Sequence, residues 1–181
     1  MTKTILGLSG SLRAASLNAA LLRAATTLAP EDMTIDIGTI RGVPLYDGDL
    51  EASEGLPEQV VTLQRQLEKA DGLLLVTPEY NNGIPGVFKN AIDWMSRGDG
   101  LSLFAGKPVA VIGASPGPFG TLLSQDQWLS VLRTLRTRPY LIGRVLLTRA
   151  HQAFDENGKL MDERATKSLT EMLAGFSKSL D

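Results

Sequence analysis

Between positions 9 and 18 the chain reads Ser9-Gly10-Ser11-Leu12-Arg13-Ala14-Ala15-Ser16-Leu17-Asn18, then continues into alanine and leucine at helical spacing. Hydroxyls, one guanidinium and the unpaired N–H groups of a helix start would share one small volume there. A phosphate monoester is held by that combination: amide donors, the positive end of a helix dipole and a forked cation that keeps its charge. The segment is neither of the two common phosphate loops. It lacks a Gly-Lys-Ser/Thr ending and does not spell G-x-G-x-x-G. The same residues would also make a plain capped turn, with Ser16 or Asn18 as N-cap.

Two further loops have the composition of binding elements. Thr77-Pro78-Glu79-Tyr80-Asn81-Asn82-Gly83-Ile84-Pro85-Gly86 packs two prolines and two glycines into a short span after a buried apolar run. Such a loop is rigid and presents backbone amides, suited to the polar edge of a planar heterocycle. Phe88, Ile92 and Trp94 beyond it are candidates for the core or an interface. Gly113-Ala114-Ser115-Pro116-Gly117-Pro118-Phe119-Gly120 contains the G-x-S-x-G pattern of a nucleophile elbow. The residue after that serine normally gives its N–H to an oxyanion, and Pro116 has none. A triad would also need Asp126 and His151, the sole histidine. A third loop closing over a ligand is the better reading.

Composition narrows the chemistry further. The 181 residues include no cysteine, which excludes disulfides, thiolate metal sites and thiol nucleophiles, and one histidine cannot build a multi-histidine metal centre. A net charge of -2 with 43% hydrophobic residues points to a folded single domain over 1–181 that does not bind nucleic acid. The longest aliphatic run, Leu73-Leu74-Leu75-Val76, is far short of the roughly 20 residues of a membrane span. The opening residues turn polar and glycine-rich too early for a signal peptide, so a cytoplasmic location is expected. Charge is uneven. Residues 1–30 carry Lys3, Arg13 and Arg23 and no acid, and an acidic stretch around Asp47, Asp49, Glu51 and Glu54 is read as a solvated loop.

The elements that must position these loops follow from periodicity. Short apolar runs at 5–8, 33–40, 72–77, 109–113 and 140–147 alternate with amphipathic stretches near 17–28, 57–70, 86–97, 121–136 and 162–180. Nearly unbroken apolar runs suit parallel strands covered on both faces. Five strand–helix units with right-handed crossovers predict an α/β, doubly wound, three-layer sandwich with a five-stranded parallel sheet in the order 2-1-3-4-5. Ligands bind such sheets beyond the carboxyl ends of the strands, where all three loops fall. The segment 42–56 is expected to be one long loop.

The chain resembles the NAD(P)H-dependent FMN reductases, a flavodoxin-like family that includes quinone, chromate and some azo reductases. Gly10-Ser11-Leu12-Arg13-x-x-Ser16-x-Asn18 carries the resemblance, with Pro78-Glu79-Tyr80-Asn81 running into Lys89-Asn90-Ala91-Ile92-Asp93-Trp94, and Ser115-x-Gly117. Val43-Pro44-Leu45-Tyr46-Asp47-x-Asp49-Leu50 and Phe154-Asp155-Glu156-Asn157-Gly158-Lys159-Leu160 add weaker echoes. The resemblance implies that Ser11, Arg13, Ser16, Leu17 and Asn18 surround the phosphate of FMN. It implies that Pro78, Glu79, Tyr80 and Asn81 meet the isoalloxazine, largely through backbone, and that Ser115 and Gly117 border its other side. Family members often have Leu where Phe88 stands and a Gly pair at Gly120-Thr121.

Within that resemblance, the absence of an acid, base or nucleophile is expected, because the cofactor does the bond-making. The implied activity is ping-pong transfer of a hydride from NADPH or NADH, then two-electron reduction of a small-molecule acceptor such as a quinone, chromate, an azo compound or free flavin. The choice between NADPH and NADH stays open: Arg133, Arg136 and Arg138 are either candidates to meet a 2′-phosphate or ordinary surface arginines. A homodimer or homotetramer is also implied, with no membrane or nucleic-acid partner. The alternative is a flavodoxin-like electron carrier with no NAD(P)H activity of its own.

Overall fold

The computed structural model describes residues 2–180; Met1 and Asp181, the ends of the expected domain, lie outside it. A parallel sheet is built from β1 (Lys3–Ser9), β2 (Met33–Gly38), β3 (Gly72–Val76), β4 (Pro108–Ala114) and the short β5 (Arg138–Pro139) and β6 (Leu146–Leu147). Its order is β2-β1-β3-β4-β5, with β6 pairing further along β4. The helices are α1 (Leu17–Leu28), α2 (Gly48–Glu54), α3 (Glu58–Lys69), α4 (Gly86–Met95), α5 (Gly100–Phe104), α6 (Leu122–Thr134) and α7 (Glu163–Lys178). The order is the one periodicity predicts.

Alternation along each strand sorts the apolar side chains into two cores. Ile5, Leu74, Val76, Ala110 and Ile112 face α1 and α7, meeting Leu21, Leu22, Leu169 and Phe176. Leu6, Leu8, Leu73, Leu75 and Val109 face the other way, onto Leu63 and Leu67 of α3, Ile92 of α4 and Trp128 and Leu132 of α6. Every residue of β3, the central strand, is buried, which is why its run is unbroken. Trp94 and Trp128 both lie fully buried in this molecule. Truncating either would cost about 3–5 kcal/mol.

Three sequence expectations need correction. The fifth run is not one strand over 140–147. Pro139 pairs with Val109 and Leu146 with Gly113, so the edge chain uses more residues than β4 between the same two points. The surplus bulges outward, with Leu141 and Ile142 exposed and Gly143 at φ +87°. Residues 42–56 are not all loop, because Asp47 caps α2 by accepting the Asp49 N–H at 2.9 Å and Asp49 and Glu51 sit in its first turn. Three of the acids that read as a solvated loop, Asp47, Asp49 and Glu51, therefore stabilise a helix start, and Glu54 is the last residue of the same helix. β2 ends at Gly38 rather than continuing to Ile40, whose side chain is buried against the α3 side.

Candidate functional site

Three loops converge at the carboxyl ends of β1, β3 and β4. Ser11, Arg13, Ser16, Leu17, Asn18, Pro78, Glu79, Tyr80 and Ser115 line one crevice there, together with Ala114 and Pro116. Asn81 and Gly117, the other two residues expected at the site, do not line it. Ala114 and Pro116 line it without being among the expected binding residues; their position beside Ser115 at a strand end is the signal the sequence offers. The crevice is smaller than the depressions beside the edge bulge or beside α1, neither of which gathers strand-end loops.

The first loop is built around the start of α1. Ser16 is its N-cap, its Oγ accepting the Ala19 N–H at 3.1 Å, which settles the choice between Ser16 and Asn18. Asn18 does something else. Its Nδ2 donates to the Ala114 carbonyl at 2.8 Å and its Oδ1 accepts the Ala114 N–H at 2.9 Å. The backbone N–H groups of Leu17 and Asn18 make no hydrogen bond among the described residues. Arg13 is exposed and its guanidinium forms no ion pair there either. Arg41 donates to the Leu12 carbonyl at 2.7 Å, bracing the loop from the segment after β2. The Ser9 hydroxyl, at the end of β1, is a buried polar atom without a partner. Open amides beside an unpaired guanidinium are what an anion with several oxygens would satisfy.

Gly10 has to be glycine for reasons of space. A Cβ there would stand 2.2 Å from Cδ1 of Phe88, whose ring is fully buried and packs edge-on against Trp128 with centroids 5.0 Å apart.

The second loop is a tight reversal. Tyr80 and Gly83 exchange backbone hydrogen bonds of 3.1 and 3.0 Å, with Asn81 at φ 50° and Asn82 at φ 63°. Two left-handed central residues define a type I′ turn, which asparagine tolerates. The N–H groups of Glu79 and Asn81 have no partner among the described residues. The Glu79 side chain is committed elsewhere: its Oε2 accepts the N–H groups of Leu123 and Ser124 at 2.8 and 2.9 Å.

In the third loop the Ser115 hydroxyl accepts the Gly117 N–H at 3.1 Å, and the Ser115 backbone bonds Leu147 and Ala150. Ser115 does not have the positive φ of a strained nucleophile; the non-glycine residues that do are Asn81, Asn82, Arg136 and Arg149. A Cβ on Gly113 would collide with Thr121 Oγ1 at 2.1 Å and the Thr77 carbonyl at 2.3 Å, so this glycine permits close packing of two loops. The elbow pattern is therefore a packing pattern here.

The segment between β2 and α3 docks on α4. Asn90 Nδ2 donates to the Pro44 carbonyl at 2.7 Å, Trp94 Nε1 to the same oxygen at 3.0 Å, and Asn90 Oδ1 accepts the Tyr46 N–H at 2.8 Å. Arg97 lies 4.5 Å over the Tyr46 ring. The hydrogen bond Tyr46 gives to Glu51 holds its hydroxyl above the usual tyrosine range, reinforced by partial burial. The Val43–Leu50 echo and the Lys89–Trp94 run are thus halves of one contact. Arg138 pairs beside Pro108, at the amino end of β4, and Arg136 joins Gly106 there. Arg133, Arg136 and Arg138 hence belong to the end of the sheet away from the crevice, which supports the surface-arginine reading over a 2′-phosphate contact. Arg149, bonded through its N–H to the Gly117 carbonyl, stands at the crevice end.

Known proteins supply the remaining findings. The family described as NADPH-dependent FMN reductase matches residues 3–152. An NAD(P)H-dependent FMN reductase of Pseudomonas aeruginosa is 43% identical over 169 residues, 93% of this chain and 90% of that protein. A 2-hydroxy-1,4-benzoquinone reductase from a Burkholderia species is 40% identical, covering 88% of this chain and 86% of its own length. Among solved structures, the Paracoccus denitrificans flavoenzyme FerB, an NAD(P)H:(acceptor) oxidoreductase, superposes with a TM-score of 0.88 at 35% identity, over 99% of this chain and 97% of its own.

Proposed function

The chain belongs to the NADPH-dependent FMN reductase family, and from that membership we infer how its crevice works. It is an FMN-dependent NAD(P)H oxidoreductase that reduces quinones. The observation that carries the site assignment is the open α1 start, with the unpartnered Leu17 and Asn18 N–H groups beside Arg13. Ser11, Arg13, Ser16, Leu17 and Asn18 hold the phosphate of FMN, Asn18 through its backbone only. Pro78, Glu79 and Tyr80 would flank the ring with Asn81 beside them, the unpartnered N–H groups of Glu79 and Asn81 being donors for its polar edge, and Ser115, with Gly117 next to the crevice, would border the other side.

When bound, FMN supplies the redox chemistry: NADPH or NADH loses a hydride, and a quinone gains that electron pair and two protons to leave as the diol. The protein binds and orients. Its N–H donors are fixed before reaction, so charge that develops at the ring edge meets dipoles that need not reorganise. No side chain is needed as acid, base or nucleophile, and the crevice leaves one substrate after another the same approach. Chromate, azo compounds and free flavin are further acceptors of this open design.

We also propose one domain over 1–181, a cytoplasmic location, and a homodimer or homotetramer formed through α4 and α6. Val87, Leu123 and Leu129 are exposed apolar side chains on those helices, and light scattering would read the mass. No helix among the described residues is long and apolar enough to cross a membrane.

The test is anaerobic titration of the purified, FMN-loaded protein with NADPH or NADH. Bleaching of the visible flavin band without another protein is expected. Bleaching only with a separate reductase would make it an electron carrier, and failure to take up FMN would overturn the assignment.

A further inference from the structure

The loop that follows β3 has little to hold it in place from its own strand. Its last sheet-type bond is Thr77 N–H to the Ile112 carbonyl at 2.8 Å, and Pro78 and Pro85 have no N–H to offer. A two-residue reversal with one pair of backbone bonds is marginal by itself. The support comes from α6. Its N-cap residue, Thr121, makes no side-chain cap, its first turn has no acid, and Glu79 reaches across to take the two N–H groups that a cap would take. A carboxylate at a helix start gains from both hydrogen bonds and the dipole.

One turn further along the same helix face, Gln127 grips both limbs of the reversal. Its Nε2 donates to the Asn82 carbonyl at 2.9 Å and its Oε1 accepts the Ile84 N–H at 3.2 Å. Beneath them, Thr77 Oγ1 donates to the Pro78 carbonyl at 2.8 Å. It therefore accepts from Ser124 Oγ at 2.9 Å and from Trp128 Nε1 at 3.0 Å. Thr77, Ser124 and Trp128 are fully buried, so this hub is rigid. Ser124, Gln127 and Trp128 are spaced to share one side of α6.

We infer that Glu79 and Gln127 are positioning residues that let α6, rather than β3, set the location of the Pro78–Asn81 amides, so that α6 tunes the grip on the flavin ring independently of the grip on the phosphate. This rests on the FMN assignment above. Glu79 is then a member of the flavin loop that acts through a helix and not by touching the cofactor with its carboxylate.

The experiment compares wild type with Gln127→Ala, Glu79→Ala and Glu79→Gln, measuring FMN and riboflavin affinity, the visible circular dichroism of bound flavin, and the melting temperature of the flavin-free protein. Gln127 is exposed and fills no core space, so its truncation lowers the flavin-free melting temperature only slightly. It weakens FMN and riboflavin by the same factor, about tenfold for the lost hydrogen-bond pair, and alters the dichroism of the bound ring. Glu79→Ala does the same and lowers the melting temperature further, whereas Glu79→Gln, which keeps an acceptor oxygen, restores ring affinity and spectrum. Should Glu79→Ala fail to fold, Gln127→Ala decides alone. Wild-type riboflavin affinity and dichroism in Gln127→Ala overturn the inference, as does a loss confined to FMN. A wild type that binds neither flavin overturns the FMN assignment itself and this inference with it.

Discussion

Asn18 and Ala114 exchange two hydrogen bonds, side-chain amide against peptide, at 2.8 and 2.9 Å. The pair joins the first turn of α1 to the last residue of β4, and so fixes the distance between the first and third loops. Asn18 is 4% exposed, which makes both of its bonds water-free and both of Ala114's polar groups dependent on it. A residue that looks like a ligand for phosphate in the sequence is, through its side chain, part of the frame.

Asn18→Ala removes both partners of Ala114 at once. Two buried groups left unpaired predict a loss of about 2–3 kcal/mol, read by urea unfolding of the flavin-free protein. Asn18→Asp is no rescue: it keeps the oxygen for the Ala114 N–H but sets a second oxygen against the Ala114 carbonyl. Full stability in Asn18→Asp would show that the reciprocal pair is not formed as described.

Sequence alone located the crevice, because unbroken apolar runs give the strand ends and Ser, Arg, Gly and Pro cluster there for reasons local to each loop. What it could not locate were the long-range bonds. Nothing near Glu79 says that α6, more than forty positions on, lacks its own cap, and nothing near Asn90 says that Pro44 and Tyr46 will lie against it. The Tyr140–Leu147 run failed for a related reason. Leu141 and Ile142 have strand composition, but the spacing between two pairings on β4 pushes them outward, and that is a property of the partner strand. The place of Arg133, Arg136 and Arg138 at the amino end of β4 is not legible either, because a charge cluster carries no information about which end of a sheet it occupies.

Arg13→Ala is expected to separate the two ends of the flavin. Loss of a charge-assisted bond costs about 1.5–3 kcal/mol, hence about ten- to a hundredfold in FMN affinity, while riboflavin, lacking the phosphate, binds nearly as before. Fluorescence titration with both ligands reads this. An equal loss for both would mark Arg13 as a structural residue of the loop.

Gly10 and Phe88 are predicted to be energetically coupled. Gly10→Ala places a methyl carbon 2.2 Å from a buried ring edge, and overpacking of this kind costs about 1–3 kcal/mol. Phe88→Leu by itself opens a cavity next to Trp128 and also destabilises. In the Phe88→Leu background, however, Gly10→Ala should cost less than in wild type, by at least about 0.5 kcal/mol in a double-mutant cycle. Strict additivity would show that the methyl is accommodated by backbone movement and not by the ring.

Acid should unfasten the end of α7 from the sheet. Ser177 Oγ donates to Asp32 Oδ2 at 2.8 Å and Lys3 Nζ lies 3.4 Å from the same oxygen. The Ser177 hydroxyl is the largest influence holding the Asp32 carboxyl below the usual aspartate range; burial opposes it and Lys3 adds to it. A carboxyl lowered in the folded state binds its proton more readily when unfolded, so stability rises with pH between the two values. The contribution is complete above the ordinary aspartate value and disappears as pH falls through the lowered one. Urea unfolding of wild type and Asp32→Asn should therefore differ most near neutrality and converge in acid. The side chain is about half exposed, so the difference will be modest and will shrink with added salt. A gap between the two proteins that stays constant across the acid range would mean that the Asp32 carboxylate does not carry the contact.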